Sequence, residues 1–123
     1  AGYDRPVAVI FWATWCKPCI DELDNLSELV AGHEDQLSSN IITVCIDDSR
    51  TASTTKSFVS GKQWEFQVLI DINQEIKRAM NVTDIPHYHL FDRNGKHVKK
   101  HTGYLPGDED ILLDEIIALK YEK

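Results

Sequence analysis

The sequence has few cysteines, little positive charge and no long hydrophobic run, and each shortage excludes a class of protein. No apolar run approaches the roughly 20 residues that a membrane-spanning helix needs. Thirteen basic against twenty acidic residues give a net charge of −7, which repels the phosphate backbone of nucleic acids. Three cysteines are too few for a multi-bridge secreted scaffold or a four-cysteine zinc site. We therefore expect no membrane span in this chain and no nucleic-acid partner, and redox chemistry becomes the leading hypothesis.

The sequence also lacks the marks of an export signal and of a nucleotide cofactor. Residues 1–6 have neither the basic start nor the apolar segment of a signal peptide. No G-x-G-x-x-G fingerprint for a flavin or nicotinamide is present, so we expect no diffusible cofactor. The 123 residues have the length of one domain, and a predicted strand begins almost at once. We therefore expect one domain over residues 1–123, with trimming from a longer precursor as one explanation for this start.

What the sequence does contain is a strand, helix, strand order around a pair of cysteines. Residues 6–12 are a nearly continuous apolar run rich in β-branched side chains, as expected for a strand buried on both faces. Residues 18–32 place apolar side chains at helical spacing and end on a glycine. Residues 40–47 repeat the buried-strand pattern. This order predicts a right-handed parallel crossover.

The second half of the chain predicts smaller elements, a hairpin and a final helix. Residues 51–61 indicate a weaker helix, residues 67–71 a short strand and residues 73–82 another helix. "HYHLFD" and "KHVKKH" flank "RNG", and Asn-Gly between β-like runs is a strong hairpin signal because both residues tolerate a positive φ. Residues 108–121 carry acids in their first turn, which suits the helix dipole. Their predicted apolar stripe consists of Ile111, Leu112, Ile116 and Leu119.

Cys16 and Cys19 stand where the first strand gives way to the first helix. A thiol attacks a disulfide only as the thiolate, so a redox cysteine needs a lowered pKa. The unpaired N–H groups and the positive dipole end of the helix favour the anion at Cys16, and Lys17 adds a positive charge nearby. Pro18 suits the first turn, and the three-residue spacing brings Cys19 onto the face of Cys16. The pair is therefore predicted to close and reopen a disulfide.

A structural role is the alternative for these cysteines, as a pair of core thiols or half of a zinc site. Their position directly after a buried strand argues against both. Cys45 lies in the predicted strand "ITVCID", where a free cysteine ordinarily packs as a small apolar group. Trp12 and Trp15 flank the pair, and we expect them to combine packing with shielding of the disulfide.

The stretch "FWATWCKPC" resembles the active-site signature of thioredoxin-fold proteins, and is most similar to the TlpA/ResA group of extracytoplasmic thiol-disulfide oxidoreductases. Ile85 and Pro86 stand where that family has its cis-proline, and "LFDRNGK" at residues 90–96 resembles the hairpin that follows. The likeness runs from about Val7 to the last helix. It implies an α/β, thioredoxin-like fold with a central mixed sheet of four to five strands flanked by helices. It also implies membrane-tethered relatives that reduce disulfides in the periplasm.

This resemblance leads to predicted roles at the site. Cys16 attacks the substrate and Cys19 resolves the mixed disulfide. The predicted substrate-binding residues are Trp15, Lys17, Pro18, Ile85 and Pro86. We expect the peptide bond before Pro86 to be cis and to pack against the dithiol, with the backbone of Ile85 available to an incoming substrate strand.

Two departures from the family's pattern, at Ile10 and Asp24, lie on either side of the cysteine pair, and the first bears on proton transfer. Thioredoxins carry a buried Asp, and many TlpA-like proteins an Asn, six residues before the first cysteine, but Ile10 occupies this position and cannot relay a proton. Many TlpA-like members have a Glu three residues after the second cysteine, and here this is Glu22, one helical turn past Cys19. We predict that Glu22 carries the proton for Cys19, with a raised pKa if it is buried. The alternative is an acid that only complements the helix dipole. Asp24 replaces the family's next proline, so no kink is predicted there.

The third departure is His87, which follows Pro86 where the family commonly has Thr. A histidine beside a dithiol can titrate near neutrality or bind a metal, and it can equally be a surface residue. His89 points to the same strand face by alternation, which makes a copper or zinc role conceivable. Our predicted active site contains no metal.

These observations predict a thiol-disulfide oxidoreductase, more a reductant than an oxidant, acting on disulfide-bearing proteins. Its electrons are expected from a protein partner such as a membrane or periplasmic thiol reductase. We expect a monomer in the periplasm or another extracytoplasmic compartment, anchored through a preceding segment if one exists. The alternatives are an oxidase or isomerase of the same fold, a Cu(I) or zinc carrier using the two cysteines and His87, and a domain of a larger sensor or binding protein. Copper carriers on this fold resemble C-x-x-x-C plus a distant histidine, so the shorter spacing here argues against a carrier.

Overall fold

The computed structural model describes residues 4–33 and 35–122, and these form five strands, four α-helices and one 3₁₀ helix. The strands are β1 (Val7–Trp12), β2 (Ile41–Cys45), β3 (Gln67–Ile70), β4 (His87–Phe91) and β5 (His97–Thr102). The α-helices are α1 (Lys17–Ala31), α2 (Ala52–Lys62), α3 (Glu75–Ala79) and α4 (Asp108–Lys120). The 3₁₀ helix, Leu37–Asn40, leads directly into β2. None of the described helices has the length and apolar character that a bilayer span requires.

The strands form one mixed sheet in the order β3-β2-β1-β4-β5. β1 and β2 are parallel, as are β2 and β3, whereas β4 runs antiparallel to both β1 and β5. The two parallel crossovers advance in the same direction across the sheet, so their right-handed sense places α1 and α2 on the same face. The predicted central mixed sheet of four to five strands flanked by helices is confirmed, and it has five strands.

The core is built around β1, the central strand. Ile10, Phe11 and Trp12 have no solvent exposure, which explains the continuous apolar run in this segment. Cys45 of β2 is likewise completely buried, so its predicted role in core packing is confirmed. The predicted stripe of α4 is partly wrong, because Ile111 is 52% exposed. The buried apolar residues of that helix are Leu112, Leu113 and Ile116.

The hairpin between β4 and β5 has a different turn from the one predicted. Gly95 has a positive φ of 81°, but Asn94 does not, so the pair does not form a turn with two left-handed residues. The carboxylate of Asp92 accepts N–H groups from Asn94 and Lys96, both at 2.9 Å. A register shift at Leu90/Phe91 accompanies this longer connection. The aspartate, through its hydrogen bonds to the backbone, takes the place of the second left-handed residue.

Candidate active site

A disulfide between Cys16 and Cys19 lies at the point where β1 passes into α1. Cys16 is the N-cap of α1, with extended backbone angles, and its Sγ accepts the N–H of Cys19 at 3.3 Å. A sulfur in the position of a capping acceptor lies where the helix start favours negative charge. When the disulfide opens, this arrangement stabilises a thiolate at Cys16.

The two cysteines differ in their access to solvent. Cys16 is 7% exposed and Cys19 is fully buried, so Cys16 is the more accessible of the two. Trp15, directly before Cys16, is 67% exposed, so the packing role expected for it is wrong. The packing role belongs to Trp12, whose indole N–H donates to Thr43 and whose ring meets Trp64 edge to face.

Lys17 and Pro18 complete the exposed surface beside Cys16. The ammonium group of Lys17 pairs with Asp21 at 3.0 Å, one turn along the helix. The carboxylate of Asp21 partly neutralises the charge of Lys17. The N–H groups and dipole at the start of α1 therefore stabilise a Cys16 thiolate more than Lys17 does.

The loop between β1 and α1 is held by a buried carboxylate, Asp47, which follows β2. Asp47 accepts the backbone N–H of Thr14 at 3.0 Å, its hydroxyl at 2.5 Å and the hydroxyl of Thr55 at 2.6 Å. Burial alone would raise the pKa of Asp47, but these hydrogen bonds outweigh burial and the pKa lies below its ordinary value. The sequence pattern did not identify the two threonines, because these contacts join three separate segments of the chain.

Replacing Asp47 with alanine should destabilise the protein by about 3 kcal/mol, because the change removes the acceptor of the N–H and hydroxyl of Thr14 and one of the two acceptors of the buried Thr55 hydroxyl. Chemical denaturation at neutral pH measures this loss. Asp48→Ala is the matched control: Asp48 pairs with the exposed Arg50, so its loss should leave the stability close to that of the parent. Equal effects of the two variants would contradict an anchoring role for Asp47.

Glu22 of α1 is 2% exposed, so it is a buried acid and not a surface one. Its Oε1 atom has no hydrogen-bond partner among the described residues. Burial, followed by the nearby charges of Asp108 and Glu109, raises the pKa of Glu22 from 4.5 to about 8. Helical spacing places it over the turn that holds Cys19. A carboxyl group that is protonated at neutral pH therefore lies one turn from the buried cysteine.

The surroundings of Glu22 come from the last quarter of the chain. The hydroxyl of Tyr104 donates to Glu109 at 2.6 Å and accepts from Asn25 of α1 at 3.0 Å. Glu109 also accepts the N–H of Gly107 at 2.6 Å and is 6% exposed. Sequence reasoning gave Tyr104 no role, since no local pattern connects it with a residue of α1.

Ile85 and Pro86 lie at the same edge of the sheet as the cysteine loop. β4 pairs antiparallel with β1 so that His87 is opposite Phe11, which places the segment before His87 beside the segment after Phe11. The Ile85–Pro86 peptide bond is cis, Pro86 is buried and Ile85 is half-buried. The carbonyl of Pro86 accepts the N–H of Gly103 at 2.7 Å, which ties this segment to the end of β5.

His87 and His89 bond to each other rather than joining the cysteines. Their Nε2 atoms are 3.1 Å apart, and both residues are 8% exposed. Burial, followed by the charge of neighbouring histidines, lowers the pKa of both rings. Within residues 4–33 and 35–122, no three or more His, Cys, Asp or Glu side chains form a group that could hold a metal ion. The predicted alternative of Cys16, Cys19 and His87 around one metal is therefore not assembled.

Comparisons with known proteins indicate the family of this chain. The model of the AhpC/TSA family matches residues 2–100. The chain belongs to this family. A solved thioredoxin-like protein from Porphyromonas gingivalis superposes with a TM-score of 0.75 at 39% identity, over 95% of this chain and 76% of that one. A thiol-disulfide isomerase from Corynebacterium glutamicum, at 17% identity and a TM-score of 0.80 over 98% and 84% of the two chains, shares the fold.

Among curated relatives, the thiol-disulfide oxidoreductase ResA of Bacillus thuringiensis subsp. konkukian is 31% identical over 99 residues. The match covers 80% of this chain and 56% of ResA. The chain thus spans about half the length of the curated relatives it matches. These similarities confirm the predicted family and the thioredoxin-like fold.

Proposed function

We propose that this protein is a thiol-disulfide oxidoreductase that reduces disulfides in extracytoplasmic proteins. The observation that carries the proposal is the Cys16–Cys19 disulfide at the start of α1, with the sulfur of Cys16 at the helix N-cap. The similarity to ResA supports the same class of chemistry. Trp15, Lys17 and Pro18 form the exposed rim that would meet the substrate, and the backbone at Ile85 and Pro86 lies along the same sheet edge.

The reaction transfers two electrons from the cysteine pair to the substrate. In the reduced protein the Cys16 thiolate attacks one sulfur of the substrate disulfide, whose S–S bond breaks and releases a substrate thiolate. The Cys19 thiolate then attacks Cys16 in the mixed disulfide and releases the second substrate thiolate. The protein ends with the Cys16–Cys19 disulfide, and the substrate ends as a dithiol.

Glu22 takes the proton that Cys19 must lose before it attacks. In this step the Cys19 S–H bond breaks, the carboxylate of Glu22 becomes a carboxylic acid, and the thiolate forms the new S–S bond. The oxidised protein should then hold the proton on Glu22, which fits a pKa of about 8 in this state. Ile10 is completely buried in the central strand β1, and its apolar side chain cannot carry the proton instead.

Regeneration needs an electron donor outside this chain. The sequence has no nucleotide fingerprint, so the donor we propose is a membrane or periplasmic thiol reductase that exchanges disulfides with Cys16. The resemblance to the TlpA/ResA group supports the extracytoplasmic location that we propose. An oxidase or isomerase would use the same residues with a different reduction potential.

Equilibration of the Cys16/Cys19 couple against glutathione and dithiothreitol buffers tests the direction of transfer. For a reductant we expect a potential near that of thioredoxin, about −270 mV. A potential near about −120 mV, as for DsbA, would reject the reductant in favour of an oxidase. The free and disulfide-bonded forms can be quantified by mass after acid quenching and alkylation, and the Cys16→Ser protein serves as the redox-inert control.

A further inference from the structure

A chain of three histidines lies on the sheet, away from the contacts that hold the cysteine pair. His87 and His89 are two residues apart in β4, so their side chains lie on the same face of the sheet, and His97 of β5 lies next to them. Nε2 of His87 is 3.1 Å from Nε2 of His89, and Nδ1 of His89 is 2.9 Å from Nε2 of His97. Nδ1 of His87 is 2.8 Å from the hydroxyl of Thr102. All three rings line an open pocket of about 400 Å³.

We propose that His87 and His89 form a two-histidine site for a divalent transition metal such as Zn²⁺ or Cu²⁺, with Thr102 and His97 orienting the two rings. Each ring has a partner behind it: Thr102 can accept the Nδ1–H of His87, and His97 can accept the Nδ1–H of His89. This pattern leaves both Nε2 lone pairs on the same side, facing each other. Histidine ligands of metals ordinarily have such an outer hydrogen-bond partner, which sets the tautomer and the ring orientation.

The separation of the two nitrogens suits a shared ion. At metal–nitrogen distances of about 2.0–2.1 Å and bond angles between right-angled and tetrahedral, two bound nitrogens lie roughly 2.9–3.4 Å apart. The observed 3.1 Å lies within this range. Without a metal, one neutral ring can carry its hydrogen on Nε2 and donate it to the other Nε2, which relieves the repulsion of the lone pairs. Binding of the ion then requires that ring to carry its hydrogen on Nδ1 instead. Imidazole nitrogen favours zinc, copper and nickel over magnesium and calcium.

The pocket explains how the coordination would be completed. No third His, Cys, Asp or Glu among the described residues joins the two rings as a ligand group, and His97 faces the other nitrogen of His89. The remaining positions would be filled by water, for which the open pocket has room. Lys100 also lines this pocket, and its positive charge opposes a cation. The site should therefore be weaker than a three-ligand site, and removal of the Lys100 charge should strengthen it.

Isothermal titration of the oxidised protein with ZnCl₂ tests the site independently of the proposed reductase function. The closed disulfide removes the Cys16 and Cys19 thiols as ligands, and Cys45 is completely buried. We expect one Zn²⁺ per chain, and at least tenfold weaker binding for His87→Gln and for His89→Gln. Thr102→Val should weaken binding by about 10–100-fold through loss of the outer hydrogen bond. Lys100→Gln should tighten binding, which a merely structural role for the cluster would not produce.

His33→Ala is the matched control, because His33 lies after α1, where it pairs with Asp35, and its loss should leave the affinity unchanged. Zinc protection of the unmodified protein against diethylpyrocarbonate provides a test that needs no folded variant: bound Zn²⁺ should protect His87 and His89 while His33 continues to react. Absence of saturable binding, binding that both glutamine variants retain, or equal modification with and without zinc would each overturn the proposal.

Discussion

The Cys19→Ser protein should accumulate covalent complexes with disulfide-bearing substrates, whereas Cys16→Ser should lose disulfide reduction down to the uncatalysed background. Cys16 occupies the helix start and retains solvent access, so it can attack, and without Cys19 the mixed disulfide cannot be resolved from within the protein. Mass spectrometry after acid quenching, with reduced protein and an excess of an oxidised model protein, measures the trapped complex. The turnover of both variants is followed in parallel.

Cys45→Ala is the control for these two variants. Burial raises the pKa of the Cys45 thiol to about 12, so this thiol should neither attack a substrate nor resolve a complex at neutral pH. The alanine protein should therefore keep the turnover of the parent and trap nothing. If Cys16→Ser traps substrate and Cys19→Ser does not, the roles of the two cysteines are reversed.

The position of the cysteine pair could be predicted from sequence because it depends on local patterns. The apolar run of β1, the change to helical spacing and the proline after Cys16 all lie within one short segment, and each has a direct physical meaning. The spacing of Glu22 from Cys19 is local in the same way. Its burial is not local, because Asp108, Glu109 and Tyr104 reach it only after α4 has packed against α1.

The exposure of the tryptophans, the turn type and the position of His97 are not determined by the local sequence pattern. An exposed tryptophan and a buried one look alike beside a cysteine motif, and here the difference is that Trp12 is the last residue of β1 whereas Trp15 lies in the turn beyond it. The turn after β4 was identified, but its type depends on the carboxylate of Asp92, which the Asn-Gly signal does not include. Strand alternation placed His87 and His89 together, whereas the approach of His97 depends on how β5 aligns with β4.

Glu22→Gln should make the oxidised protein more stable than the parent at pH 8, and the advantage should shrink as the pH falls to 5. The folded protein raises the pKa of Glu22 to about 8, whereas the unfolded chain has the ordinary value of 4.5. Between these values the unfolded chain has lost the proton and the folded protein still holds it. The unfolded state therefore binds fewer protons, and stability falls as the pH rises through this window.

The expected size of this effect follows from the pKa difference. Each pH unit in the window costs about 1.4 kcal/mol, so the whole interval from 4.5 to 8 corresponds to a loss on the order of 5 kcal/mol. Glutamine has nearly the same shape as glutamate and no charge to desolvate. The stability of the Glu22→Gln protein should therefore lack this pH-dependent loss. Urea denaturation of parent and variant at several pH values measures the difference directly, and the subtraction removes the titration of all groups that the two proteins share.

Glu28→Gln is the control for the loss of one carboxylate from α1 without a change in burial, because Glu28 is an exposed acid on the same helix. Its substitution should leave the pH dependence of stability unchanged. The role of Glu22 as proton carrier needs a second test besides stability. The pH profiles of Cys19 alkylation and of disulfide reduction should shift in Glu22→Gln and remain unchanged in Glu28→Gln. A Glu22→Gln protein that gains stability but keeps the parent's rate profile would leave Glu22 a buried acid without a part in the reaction. The proton of Cys19 would then pass to Asp47 or to solvent.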